Sequence, residues 1–382
     1  MADRAPSSPP EIAGYSYLRP LGVGGFADVF LYEQDMPRRL VAVKVLLEDV
    51  VTDQFLQMFM AEANAMAQLS THPSILTIYQ ASISSDGRPF LVLEYCPKSI
   101  GERYRQEAMS VPDVLYLGIR IASALATAHR KGILHRDIKP SNILITEYAL
   151  PVLADFGIAG STIDGIAGTS ALSLPWSSPE VVNERTTGDV QSEVWSLGAT
   201  LYALLAGKSP FERPGRGQNG PEKLRERISA ANYQPIPRAD VPQELQNILA
   251  KAMSGRPVNR YSSMEAFAND LQRVQQRLNQ PLTQLEINQF DGGGGNAADA
   301  SAWRPPTDGQ VPGPARTNVE LDSRRPVRGP DKRPSVSLSL PSGSEQAGQS
   351  STSGRGWMAA ALMGVAALTA VIVIGAMMLL GG

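Results

Sequence analysis

With Cys96 as its one cysteine, this chain of 382 residues cannot close an internal disulfide, which suits a reducing compartment. Histidine is nearly as scarce, at three residues. His72 and His129 have no second ligand at a spacing that would hold a metal, so both read as structural. Neither sign of charge prevails. A formal net charge of −2 excludes a general attraction to nucleic acid or to an anionic lipid surface. The first fourteen residues, MADRAPSSPPEIAG, have no apolar core, and no secretory signal is expected in them.

Apolar residues make up 43% of the chain, as in a globular protein, but the 34 glycines and 29 prolines are unevenly placed. Up to about residue 280, apolar residues recur at strand and helix spacing. Residues 279–356 are instead rich in Gly, Pro, Ser and Arg, including GGGG at 292–295 and RRPVRGPDKRPS at 324–335. Such a stretch has too little apolar surface to offset its ordering entropy, so a disordered linker is expected. Residues 357–380 then carry neither a charge nor a strongly polar group. As a helix they would span about 36 Å, enough for a hydrocarbon layer of about 30 Å. Arg324, Arg325, Arg328, Lys332, Arg333 and Arg355 precede this span, which places its N-terminal side in the cytoplasm. The expectation is a single-pass cell-membrane protein with virtually no extracellular part.

Between residues 15 and 278 a series of phosphate-handling motifs follows in order. LGVGGFADVF (21–30) reads as two strands around a glycine turn, where backbone N–H groups can approach a polyphosphate without an intervening Cβ. No GK[ST] closes it, and strand rather than helix follows, so it is neither a P-loop nor a dinucleotide fingerprint. VAVKVL (41–46) is an apolar strand with one inward lysine, Lys44, which needs a partner. A helical stretch from about Asp53 to Leu69 carries Glu62 near its middle. Glu62 can pair with Lys44, or it can be an ordinary solvated carboxylate. GILHRDIKPSNILI (132–145) places His135, Arg136, Asp137, Lys139 and Asn142 in a polar loop between β-branched runs. Phosphoryl transfer needs such a set: a carboxylate for the hydroxyl proton, a cation for the phosphoryl group and a metal-holding amide. PVLADFGIAG (151–160) sets Asp155 at a strand end, where a carboxylate can hold Mg²⁺.

In that order and spacing, residues 15–278 resemble a whole protein kinase domain, most closely the bacterial, eukaryotic-like Ser/Thr kinases of actinobacterial type. The resemblance implies an α+β fold of two lobes, an N-lobe β-sheet with one helix and a mainly helical C-lobe. It implies ATP with Mg²⁺ or Mn²⁺. The turn of Leu21, Gly22, Val23, Gly24, Gly25, Phe26 and Ala27 would cover the nucleotide, with the glycines over its phosphates. Lys44, held by Glu62, would contact the α- and β-phosphates. Leu21, Val29, Ala42 and Leu144 would enclose adenine, Leu93 would be the gatekeeper, and the Glu94 carbonyl and Cys96 amide would meet the adenine edge. Asp137 would be the catalytic base, Lys139 would stabilise the γ-phosphoryl group, and Asn142 and Asp155 would hold the metal. Lys139 marks Ser/Thr specificity, and Ser173 stands where a threonine contacts the catalytic aspartate in such kinases. SSPE (177–180) replaces the usual APE, with Glu180 expected to pair with Arg260. SSME (262–265) reads as a capping box for the last helix.

Two departures stand out: Ala27 replaces the third glycine, and Glu193 replaces the aspartate that usually braces the catalytic loop, with one methylene more. Ser and Thr residues of cytoplasmic proteins are the expected substrates, and nucleic acid is not an expected partner. Arg136 before Asp137 points to activation by autophosphorylation between Asp155 and Glu180. The acceptors there are Ser161, Thr162, Thr169 and Ser170, with Thr169 preferred and a homodimer serving phosphorylation in trans. A pseudokinase scaffold is the alternative. A small-molecule phosphotransferase is disfavoured by Lys139 and by the long segment leading to SSPE.

Overall fold

Strand periodicity decides the first layer of the computed structural model, which describes residues 4–156 and 173–287. Strands β1 (Tyr15–Val23), β2 (Ala27–Gln34) and β3 (Arg39–Leu46) run on into helix α1 (Asp53–Leu69), followed by β4 (Ile78–Ile83) and β5 (Pro89–Glu94). They form one antiparallel sheet in the order β1-β2-β3-β5-β4. Because successive side chains alternate between faces, Val41, Val43 and Val45 join Phe30, Tyr32, Phe90 and Val92 in an outer apolar cluster. Ala42, Leu46, Leu91 and Leu93 face the main core instead.

Helix α1 packs on that inner face through Phe59, Ala63, Met66 and Leu69. The spacing of these residues places Glu62 on the same buried face, three or four positions from Phe59 and Met66. The carboxylate is therefore aimed at the sheet, and the solvated alternative is excluded.

The second lobe begins with β6 (Lys98–Ser99), α2 (Ile100–Arg103) and the long α3 (Val111–Arg130). The hairpin β7 (Ile143–Ile145) and β8 (Pro151–Leu153) pairs with β6 in a small sheet that frames the polar loop. Then come α4 (Pro179–Val182), α5 (Val190–Ala206), α6 (Pro221–Ser229), α7 (Gln243–Ala252) and α8 (Met264–Arg277). Among the described residues α3 alone is long and apolar enough to cross a bilayer, yet it lies buried in the core. Each leucine or isoleucine it buries contributes about 1.5–3 kcal/mol. A Cβ on Gly118 would meet Leu201 at 2.8 Å, so glycine is what lets α3 approach α5 this closely. Helix α5 starts with a reciprocal Asp189–Ser192 cap and ends on left-handed Gly207, φ 70°.

Three expectations change. Residues 279–287, assigned to the linker, pack against the lobe: Glu286 pairs with Arg120 (3.0 Å), Thr283 bonds to Gln275 and Leu285 rests on the core. Composition alone hides this, because two or three anchoring side chains suffice to hold an irregular segment. The last helix is capped by Ser263, which accepts from the Ala266 N–H at 3.1 Å, rather than by Ser262. That start brings Met264 into the core at 0% exposure and frees Glu265 to pair with Arg130 (2.7 Å). Residues 4–14, left outside the domain, lie along the N-lobe sheet. The linker from residue 288, the apolar span 357–380 and residues 157–172, with all four candidate phosphate acceptors, lie outside the described residues.

Candidate active site

Inner-face alternation in β3 and the buried face of α1 bring Lys44 and Glu62 together at 2.9 Å. The same ammonium donates to Asp155, just beyond β8, also at 2.9 Å. Burial opposes the charge on Lys44, but the Asp155 and Glu62 carboxylates outweigh it and hold the lysine above its usual pKa. The Lys44 charge in turn holds Asp155 below the usual carboxylate range, whereas burial pushes the Glu62 carboxyl up. A lysine cation thus sits between two carboxylates, and the Asp155 side chain remains 47% exposed.

The polar loop between α3 and β7 is held from below. His135 is fully buried; its Nε2 lies 2.9 Å from the Ala154 carbonyl, and its Nδ1 accepts the Asp137 N–H at 3.2 Å. Arg136 adopts φ 65° and Asp155 φ 56°, both in the left-handed region that disfavours side chains. Glu193 takes the Arg136 N–H at 2.6 Å with one oxygen and faces His129 Nε2 at 2.6 Å with the other. The extra methylene therefore does not break the brace. His129, which sequence spacing left as merely structural, is half of it.

Above this brace, Lys139 Nζ donates to Asp137 at 2.6 Å and to Ser173 Oγ at 2.9 Å. Ser173 thus reaches Asp137 through Lys139 rather than by direct contact, because the ammonium lies between them. Asn142 donates its amide N–H to the Asp137 carbonyl (2.8 Å) and carboxylate (3.1 Å), which leaves Oδ1 as its cation-facing atom. The Asn142 carbonyl also accepts the Ala154 N–H at 2.9 Å, which ties it to the strand end beside Asp155. The side-chain oxygens of Asn142 and Asp155 are hard donors of the kind Mg²⁺ takes, so these residues fit a divalent cation.

The nucleotide-binding candidates surround this set. Gly24 donates to the Ala27 carbonyl at 2.9 Å, and a Cβ on Gly24 would stand 2.6 Å from that oxygen, so only glycine closes the turn. Gly22, Val23, Gly25 and Phe26 are exposed along it, and Ala27 is half-buried. Leu21, Val29, Cys96 and Leu144 are half-buried against the core, while Ala42 and Leu93 are buried. Glu94 uses its N–H on the Thr77 carbonyl at 2.9 Å. Burial, helped by Glu94 and Glu147, pushes the Cys96 thiol up to about 12, which disfavours the reactive thiolate. Farther off, Glu180 and Arg260 form the expected pair through two bonds of 2.6 and 2.8 Å, with Arg260 over the Trp195 ring.

Comparison with known proteins finds relatives over this part of the chain. Residues 15–271 match the protein kinase domain family. The chain is 36% identical over 284 residues to the Ser/Thr-protein kinase PknK of Mycobacterium tuberculosis, covering 72% of this chain and 25% of that one. It is 33% identical over 264 residues to the Ser/Thr-protein kinase PrkC of Bacillus subtilis, covering 67% and 40%. With the Ser/Thr-protein kinase PknB of Mycolicibacterium smegmatis the identity is 32% over 279 residues, covering 66% and 42%. The chain thus spans between a quarter and about two fifths of the length of these relatives.

Proposed function

Since this chain belongs to the protein kinase family, we propose that it is a Ser/Thr protein kinase that transfers the γ-phosphoryl group of ATP to Ser or Thr of cytoplasmic proteins. One observation carries the reading. Lys44, Glu62 and Asp155 form one charge-linked set, and Asp137, Lys139, Asn142 and Ser173 form another, with the two joined at Ala154 and Asn142.

In the proposed mechanism the glycine turn directs backbone N–H groups to the phosphates, and Lys44 holds the α- and β-phosphates. Asp137 orients the acceptor hydroxyl and takes its proton, while Lys139 neutralises charge on the transferring group. Asn142 and Asp155 would hold the divalent cation, which offsets phosphate charge when bound. Arg136 and Glu193 do no chemistry and keep Asp137 in place. The complete set of groups and the formed brace speak against a non-catalytic scaffold.

The proposal extends to location and regulation. Residues 357–380 are assigned to a membrane span, with the kinase domain on the cytoplasmic side. Autophosphorylation in trans, first at Thr169, is assigned as the activating step, and mass spectrometry of the autophosphorylated protein tests it. The activity test is incubation of the purified chain with radiolabelled ATP, Mg²⁺ and a general protein acceptor, followed by acid hydrolysis. Phosphoserine and phosphothreonine are expected, and neither should arise from Asp137→Asn. Label on small molecules alone, or none above that variant, would overturn the assignment.

A further inference from the structure

We propose that residues 4–12 form a strap over the outer face of the N-lobe sheet, and that the Arg4–Asp28 pair at its end holds the glycine turn over the nucleotide phosphates. Arg4 is then a positioning residue for ATP. The inference rests on the reading of residues 22–25 as the phosphate cover.

Alternation along β2 puts Asp28 on the outer face with Phe30 and Tyr32, opposite Val23 at the root of the glycine turn. The residue is 0% exposed. A carboxylate buried among apolar side chains needs compensation, and residues of the strap provide it. The Arg4 guanidinium meets Asp28 Oδ1, and the Ser7 N–H donates to Oδ2 at 2.7 Å. Burial would raise the Asp28 carboxyl, but the Ser7 N–H and Arg4 outweigh it and keep it below its usual value. The same Arg4 nitrogen reaches the Gly24 carbonyl at 3.3 Å, so one guanidinium spans the buried strand and the turn itself.

Arg4 can hold a turn only if the segment bearing it is moored. Arg88, buried between β4 and β5 and oriented by Asp86, donates to the Ser8 carbonyl at 2.8 Å and to Ser7 Oγ at 3.3 Å. The Tyr32 hydroxyl donates to the Pro10 carbonyl at 2.6 Å, and Ile12 packs on the outer cluster. These moorings lie on the outer face of the sheet and in the β4–β5 connection, whereas Lys44 is on the inner face, so the strap acts on the nucleotide through the turn. Losing Arg4 leaves the buried Asp28 carboxylate to Ser7 alone and releases the Gly24 carbonyl, so the turn shifts as water reaches the carboxylate.

The test uses the full-length chain and compares wild type with Arg4→Ala and Arg4→Lys for binding of Mg²⁺–ATP and of adenosine, alongside steady-state kinetics. A charge-assisted bond at a half-exposed site predicts a loss of about three- to tenfold in ATP affinity for Arg4→Ala. Adenosine affinity and kcat at saturating ATP should stay near wild type, because the effect on the site is confined to the phosphate cover, whereas the melting midpoint should fall as the buried Asp28 loses its charge partner. Arg4→Lys keeps the cation and should restore most of the ATP affinity. Wild-type ATP affinity in Arg4→Ala, or equal losses of ATP and adenosine, overturns the strap while leaving the kinase reading intact. A wild-type chain that does not bind ATP removes both.

Discussion

Replacing Glu193 by glutamine exchanges one oxygen for an NH₂ group in a side chain that is 3% exposed. In the wild type both oxygens are in use, on the Arg136 N–H and on His129 Nε2, each at 2.6 Å. Glutamine keeps one acceptor, and with that acceptor on the Nε2–H of the His129 tautomer that the carboxylate selects, its NH₂ faces the Arg136 N–H. A buried donor left without a partner costs about 1–3 kcal/mol. The Arg136 backbone, at φ 65°, sits in a conformation that costs roughly a further 1–2 kcal/mol and that the brace helps to hold. Since Asp137 is the next residue, relaxation of Arg136 displaces the proposed base. At about 1.4 kcal/mol per tenfold in rate, kcat should fall about 10- to 100-fold. The KM for ATP should hardly change, because the contacts of Lys44 and the glycine turn are untouched. Phosphate transfer at saturating ATP reads the effect, with thermal melting as the control for folding. Adding His129→Ala gives the amide room to turn its oxygen to the Arg136 N–H, and the double variant should regain part of kcat. A folded Glu193→Gln protein with wild-type kcat would refute the brace argument.

Four other predictions concern the site, the Glu180–Arg260 pair, the tail and the apolar span. Lys44→Met and Asp137→Asn should each lower phosphate transfer at least about a hundredfold with the fold retained, and near-normal turnover in either would sink the assigned roles. Arg260→Ala strands the Glu180 carboxylate and should destabilise the chain by about 3–5 kcal/mol in denaturant unfolding. Although burial opposes it, Arg260 holds the Glu180 carboxyl below its ordinary value of 4.5. The pair's contribution is therefore complete above pH 4.5 and lost as pH falls through the lower folded value, so Arg260→Ala should flatten the acid limb of stability against pH. A chain ending at residue 287 should be soluble and active, whereas one ending at 279 should melt earlier for want of the Thr283, Leu285 and Glu286 contacts. The full chain should stay with membranes through carbonate washing, and its release would refute the span at 357–380.

Much of the site was legible as local pattern. Alternation in VAVKVL put Lys44 on the inner face, and the β-branched runs around HRDIKPSN and before DFG placed a polar loop ahead of Asp155 at a strand end, where β7 and β8 form. An overlooked signal lay in β2, where Asp28 shares its face with Phe30 and Tyr32 and so requires both a cover and a charge partner. The boundaries at 15 and 278 missed their flanking segments, because a strap or a tail held by a few bonds leaves no periodicity of its own.

By itself, then, the sequence determined which groups the chain owns and which face of each element they occupy, since both depend on residues a few positions apart. Tertiary structure decided which charges meet. Lys44 finds Asp155 across 111 positions, and Arg136 finds Glu193 across 57. Whether Glu62 is solvated or paired, whether a glutamate can replace an aspartate as brace, and what the structural His129 holds all turn on desolvation and on distances of about 3 Å. Those quantities belong to the packed lobes, because the penalty for burying a charge exists only once the surrounding chain has excluded water.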